Sequence, residues 1–362
     1  MNSKMRFNNI DRQYTEYRHE FDAAYQRVMQ MGWFILGPEV EQFEREFAEY
    51  TDAEHCVGVA TGTDALIVAL KTCGIGYGDD VIVPANTYIA SWLAIDAVGA
   101  RIVPVEPDET YCIDPGRIKI KATTKAIMPV HLYGGVCDLD PIERIADKHG
   151  LKIIHDAAQA QGAKYKDKRI GGQKDIVAWS FYPSKNLGAF GDAGAITTDD
   201  WGYAQYARLY RNYGSPKKYH NSFKGINSRL DEIQAAFLRV KLRHLDEMND
   251  RRWEIALRYF KELDVGGLVL PNFLDDTMHV FHQFVVRHPD RDGLAKHLED
   301  SGIPTLIHYP IPPHKSEAFR GQFDWLPITE EYASTMLSLP IDPFFTDDEV
   351  DCIVEAINGW QQ

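Results

Sequence analysis

One lysine and one aspartate carry the chemistry this sequence can do. Lys185 stands within residues 180–195, SFYPSKNLGAFGDAGA. An apolar β-type run, residues 175–181, enters that glycine-rich loop, and a second, residues 194–198, leaves it. A lysine at the edge of an apolar core is partly desolvated, which lowers its pKa and frees the amine to attack a carbonyl. The plainer alternative is a surface loop with an ordinary lysine. Upstream, residues 151–160 read as a short buried strand ending in Asp156. An acid at the carboxyl end of a parallel strand points into the crevice where α/β sheets bind ligands. Lysine and aspartate together are the two anchors of pyridoxal phosphate (PLP). The amine holds the aldehyde, and the carboxylate keeps the ring nitrogen protonated so that the ring acts as an electron sink.

Positioning these groups requires a sheet. Strand-like and helix-like segments alternate from His55 to about Thr198, which predicts an α/β fold with a mostly parallel sheet and helices on both faces. Residues 55–60 read as a buried strand, followed by Thr61-Gly62-Thr63-Asp64 and a helix over 65–73. A small-residue turn at a helix start is a phosphate cradle, because backbone N–H groups and the helix dipole both favour an anion. Thr and Asp there also suit a simple N-cap. Tyr88 opens the next helix and reads equally as a core tyrosine. Gln159, three residues after Asp156, shares its pocket if a turn starts there.

The motifs HDAAQAQGA and SFYPSKNLGAFGDAGA resemble the DegT/DnrJ/EryC1/StrS sugar aminotransferases, fold-type I PLP enzymes, over nearly the whole chain from about Trp33. The resemblance implies PLP as cofactor, with its phosphate held by Gly62, Thr63 and Ser180, Tyr88 stacked on the ring, and Gln159 near the ring hydroxyl. Gly225–Leu230 matches an Asn-x-Arg motif whose asparagine, here Asn227, contacts the PLP phosphate of a partner subunit, implying a homodimer with shared sites. Residues 208–227 are basic and aromatic and include Arg211 and Tyr219. They read as a solvated loop or as donors to a nucleotide's pyrophosphate. Tyr182 and Asn186 are near enough in sequence to Lys185 to touch substrate. His308 and Tyr309, between an apolar stretch and a proline-rich turn, pack or bind substrate; the resemblance places them at the sugar site.

The activity implied is transfer of an amino group from an amino acid, L-glutamate first, to the C3 keto group of a dTDP-linked 3-keto-6-deoxyhexose, for O-antigen, S-layer glycan or antibiotic sugars. Amination at C4 is the alternative acceptor chemistry. A PLP-dependent dehydratase would carry histidine in place of Lys185, and a non-catalytic regulatory or binding protein would keep the fold without the reaction. Lys185 acts as both base and acid in this scheme, so no second catalytic acid is needed.

Composition fits. The 362 residues suit one large domain and a smaller one. The expected divisions are an N-terminal arm and helix (1–30), a PLP-binding domain (31–249) and a smaller C-terminal α/β domain (250–362). A net charge of −14, from 39 basic and 53 acidic residues, argues against nucleic acid or an anionic membrane as partner. Five scattered cysteines without a CxxC pair predict free thiols in a reducing cytoplasm and no metal site. No signal-peptide core and no bilayer-length apolar run are present in the sequence.

Overall fold

The computed structural model describes residues 5–173 and 176–360. Asp175, expected to open the strand before the lysine loop, and the first four and last two residues of the outer divisions lie outside that range. Helices α1 (Ile10–Glu16) and α2 (Arg18–Met31) form the N-terminal arm, and α2 buries Phe21, Ala24 and Val28. Helix α3 (Pro38–Tyr50) starts on proline, whose missing N–H costs nothing in the first turn. The N–H groups on either side of that proline are capped by a buried carboxylate: Glu232 accepts from Gly37, Glu39 and Val40 at 2.7–3.0 Å.

Strand β1 (His55–Val59) leads to α4 (Gly62–Thr72), β2 (Asp80–Pro84) to α5 (Ile89–Ala97), and β3 (Arg101–Val105) follows. Then come β4 (Thr124–Ile127), α6 (Leu139–His149), β5 (Lys152–Asp156), a small hairpin of β6 (Lys164–Tyr165) and β7 (Lys168–Arg169), β8 (Ile176–Ser180) and β9 (Gly194–Thr198). The seven-stranded sheet runs β1-β9-β8-β5-β4-β2-β3. Every neighbouring pair is parallel except the two made by β9. Successive residues of β8 face opposite sides: Val177 and Trp179 join the cluster under α3, whereas Ile176 and Ala178 join the cluster under α4 and α5. Both faces are therefore covered, which is why these strands read as unbroken apolar runs. Strand β4 is shorter than the run 124–130 because Pro129 has no N–H to pair; Val130 keeps an isolated parallel bridge to Asp156.

Helices α7 (Trp201–Tyr210), α8 (Glu232–Leu242) and α9 (Leu245–Glu262) follow. The sequence pattern predicts one helix over 231–248; the structure breaks it at His244. That residue leaves helical geometry to stack on Tyr17, with centroids 4.0 Å apart, and to bond Glu20 at 2.8 Å. Docking of the N-terminal arm overrides the local helical preference. The C-terminal part holds β10 (Thr277–Met278), β11 (Phe284–Arg287), α10 (Arg291–Asp300), α11 (Pro327–Thr335), β12 (Met336–Leu339) and α12 (Asp347–Asn358). Residues 303–309 form no strand and make only one bridge, Leu306 to Ser338. Helix α9 is shared by two cores: Leu245 and Met248 pack into the large one, Ile255, Ala256 and Tyr259 into the C-terminal one. The expected division at 249/250 falls inside this helix.

Candidate active site

A cavity of about 490 Å³ opens where the carboxyl ends of β5 and β8 meet the start of α4 and a strip of the C-terminal part. It collects ten of the fourteen expected site residues: Gly62, Thr63, Tyr88, Asp156, Gln159, Ser180, Tyr182, Lys185, His308 and Tyr309.

At one end is the start of α4. Thr61 has extended backbone and its Oγ1 accepts the Asp64 N–H at 3.0 Å, so the N-cap and the anion cradle are the same structure rather than alternatives. The cap satisfies one orphan donor and leaves the N–H groups before it for a ligand. Gly62 lies against Ser180; a Cβ built there would sit 2.5 Å from the serine Cβ. The close approach of α4 to β8 thus depends on glycine. Ser228, which sequence reading passed over, accepts from Ala60 N at 3.0 Å and donates to Asp64 at 2.7 Å, pinning the start of α4 to the segment after α7.

At the other end is Asp156. Its Oδ2 accepts from Ser91 Oγ at 2.8 Å and its Oδ1 from Ala158 N at 3.1 Å. Burial raises its pKa above the ordinary carboxylate value, against those two hydrogen bonds and nearby Lys185. Between the two ends stands Lys185. Its loop is closed by the Lys185 N–H to Tyr182 O bond at 2.8 Å, and Asn186 fastens it by donating to Asn249 at 2.8 Å and to Val280 O at 2.9 Å. Asn186 is therefore an anchor of the loop, not a substrate contact. Burial lowers the Lys185 pKa to about 8, with Asp156 opposing the shift. The surface-loop alternative does not hold.

Gln159 spends both ends of its amide inside the protein, on Tyr133 N and the Tyr309 hydroxyl. Tyr88 is not a core residue: it is half exposed over the cavity, its ring 5.1 Å from that of Tyr309. His308 bonds Ser338 at 2.8 Å, and burial, with Lys185 adding to it, lowers its pKa to about 4. His282 and Gln283 also line the wall; burial holds His282 neutral, and Gln283 Oε1 is buried without a hydrogen-bond partner. No local signal marks these two, because their role comes from the fold of the C-terminal part. Ser91 could have been found from its spacing to Thr87 across the first turn of α5.

Besides Asn186, three expected residues lie elsewhere. Arg211 is corrected: it is buried against Glu44 and the Gly58 carbonyl, and so serves the fold. Tyr219 and Asn227 are exposed and outside the cavity of their own chain.

The donor set fits PLP. A helix start with a serine hydroxyl suits a phosphate, a buried carboxylate suits a pyridine nitrogen, and a desolvated amine between them suits an aldehyde.

Comparison with known proteins agrees. The profile of the DegT/DnrJ/EryC1/StrS aminotransferase family matches residues 15–358. A dTDP-3-amino-3,6-dideoxy-alpha-D-galactopyranose transaminase of Aneurinibacillus thermoaerophilus is 53% identical over 348 residues, covering 95% of this chain and 96% of that one. A dTDP-3-amino-3,4,6-trideoxy-alpha-D-glucose transaminase of Streptomyces venezuelae is 48% identical over 363 residues, covering 98% and 96%. The crystal structure of S. venezuelae DesV in complex with a ketimine intermediate superposes with a TM-score of 0.98 at 48% identity, over 99% of both chains.

Proposed function

Since the chain belongs to the DegT/DnrJ/EryC1/StrS aminotransferase family, we propose that it moves the amino group of an amino acid, glutamate first, to the C3 keto group of a dTDP-linked 3-keto-6-deoxyhexose. The product is a dTDP-3-amino-3,6-dideoxyhexose. The chain is a PLP-dependent sugar aminotransferase. The 3-position rests on one observation above others: relatives at 53% and 48% identity are named for 3-amino dTDP-sugars.

When bound, PLP supplies an electron sink for the negative charge that develops at the donor's Cα. The residues of the chain do the rest. Gly62, Thr63 and Ser180 would hold the phosphate, and Asp156 would hold the proton on the ring nitrogen. Lys185 would hold the cofactor's aldehyde, and its Nζ, as a free amine, would take the donor's Cα proton and then serve as the acid that gives it back. Its lowered pKa suits that exchange, because an amine near neutrality both accepts and gives a proton readily. Tyr88 and Tyr309 cover the open side and keep water from the reacting carbon. Tyr182, half exposed, and His308, deeper in the wall, line the cavity and are assigned to the sugar.

The active form is read as a homodimer with shared sites. Among the described residues, Lys185 is the only lysine or arginine lining the cavity. Yet the ligands carry a phosphate, carboxylates and a diphosphate. Exposed Lys217, Lys218, Tyr219, Lys224 and Asn227 project from the segment after α7, and they are assigned to the partner's cavity. The cytoplasm is the proposed compartment, consistent with five cysteines of which none forms a disulfide, and O-antigen or S-layer glycan is the proposed destination of the sugar. No helix among the described residues is long and apolar enough to cross a membrane.

The test is a visible spectrum of the holoenzyme. Glutamate should convert the lysine-linked band to that of the amine form, and dTDP-3-keto-6-deoxyglucose or its C4 epimer should restore it. Restoration only by a 4-keto sugar moves the reaction to C4. No response to any amino donor overturns the transaminase reading.

A further inference from the structure

Two buried hydroxyls stand behind Asp156 that the reaction itself does not consume. Ser91, in the first turn of α5, donates to Asp156 Oδ2 at 2.8 Å, and Thr87 Oγ1 lies 2.9 Å from Ser91 Oγ. Thr87, Ser91 and Asp156 are 2%, 1% and 4% exposed, so water does not compete for these bonds. A carboxylate only accepts. The single proton of Ser91 therefore goes to Asp156, and the oxygen of Ser91 is free to accept the proton of Thr87. The three oxygens form a one-way chain from the loop after β2 to the end of β5. Bonds of this kind to a charged acceptor are about twice as strong as neutral ones, and each polarises the next. Without them, burial would favour a protonated aspartate, which has no charge to hold a pyridinium proton.

We propose that Ser91, backed by Thr87, is a positioning residue that keeps Asp156 a carboxylate aimed into the cavity and so sets how far the cofactor's ring nitrogen is protonated. This rests on the reading that the ring nitrogen of PLP meets Asp156. Ser91 and Thr87 also line the cavity, and the role assigned to them is exercised through the aspartate.

The experiment loads the holoenzyme with PLP labelled with nitrogen-15 in the ring and records the ring-nitrogen resonance, which differs between protonated and neutral pyridine. Asp156→Asn should move the resonance furthest toward the neutral position. Ser91→Ala should move it in the same direction by less, and Thr87→Val by less again. Ser91→Thr, which keeps a hydroxyl, should return it toward the wild-type position. The rate constant of the glutamate half-reaction should fall in the same order, by about tenfold for Ser91→Ala, the equivalent of about one pKa unit, with the KM for glutamate unchanged. A purely structural role would lower thermal stability without moving the resonance.

If Asp156→Asn moves the resonance and Ser91→Ala does not, the role given to Ser91 is wrong. If Asp156→Asn itself leaves the resonance in place, the ring nitrogen is not at Asp156, and both readings fall. Should Ser91→Ala fold poorly, Thr87→Val and Ser91→Thr carry the comparison. An unmoved resonance in Thr87→Val would then overturn the relay.

Discussion

Gln159 holds Tyr309: its Nε2 donates to the tyrosine hydroxyl at 2.9 Å, between residues 150 positions apart in the chain. The other end of the same amide accepts the Tyr133 N–H at 2.6 Å. One buried side chain thus ties the end of the β5 motif to the C-terminal strip and sets where the Tyr309 ring lies against Tyr88. Gln159→Leu leaves a donor at Tyr133 and a hydroxyl at Tyr309 without their partner. The expected loss is about 1–3 kcal/mol of stability, read from urea unfolding, together with a higher KM for the sugar. An unchanged midpoint would mean that neither bond matters.

Gly62 has no room for a side chain. Gly62→Ala would place a Cβ 2.5 Å from that of Ser180, pushing the start of α4 away from β8. Cofactor affinity should fall at least about tenfold, or ~1.4 kcal/mol, in an absorbance titration of the apoprotein. Wild-type affinity would remove Gly62 and Ser180 from the phosphate cradle.

Lys185 governs capture of the cofactor. Only the neutral amine attacks an aldehyde, and its pKa is lowered to about 8. Below that pH the capture rate of the apoprotein should rise about tenfold per pH unit, then level off above it. Stopped-flow absorbance across the range checks this; a rate still climbing steadily toward pH 10.5 would mean an ordinary lysine. Lys185→Ala should show no lysine-linked band and no turnover while melting cooperatively.

Asn227 tests sharing between subunits. Asn227→Ala and Lys185→Ala, each inactive or weakened alone, should recover part of the wild-type turnover when unfolded and refolded together, because a mixed dimer keeps one intact site. Complete failure to complement would place Asn227 outside the partner's cavity.

Lys241 is a fully buried amine with no hydrogen-bond partner, set 3.9 Å above the Phe190 ring. Burial lowers its pKa from 10.5 to about 7. Between those values the unfolded chain binds more protons than the folded one, so this residue makes stability rise with pH across that window. Lys241→Met should therefore stabilise the protein at pH 7 by about 1–3 kcal/mol, the gain shrinking as the pH approaches 10.5. Denaturant unfolding of both proteins at several pH values gives the answer.

The sheet, the lysine and the aspartate are legible in the sequence. Those features are local: apolar runs bounded by small polar turns report burial, and a charged residue at the end of such a run reports a crevice. The rest depended on contacts between parts of the chain far apart in sequence. Arg211 sits in a basic stretch and reads as an anion donor, but Glu44 and the Gly58 carbonyl, far away in sequence, claim its guanidinium. The helix expected over 231–248 breaks because the ring of His244 finds Tyr17 in the N-terminal arm. His282 and Gln283 enter the cavity from a part of the chain that shows no motif. Ser91 becomes the partner of Asp156 only when β5 lies beside the start of α5. Periodicity reports which residues face inward, and it carries no information about which distant residue each one will meet there.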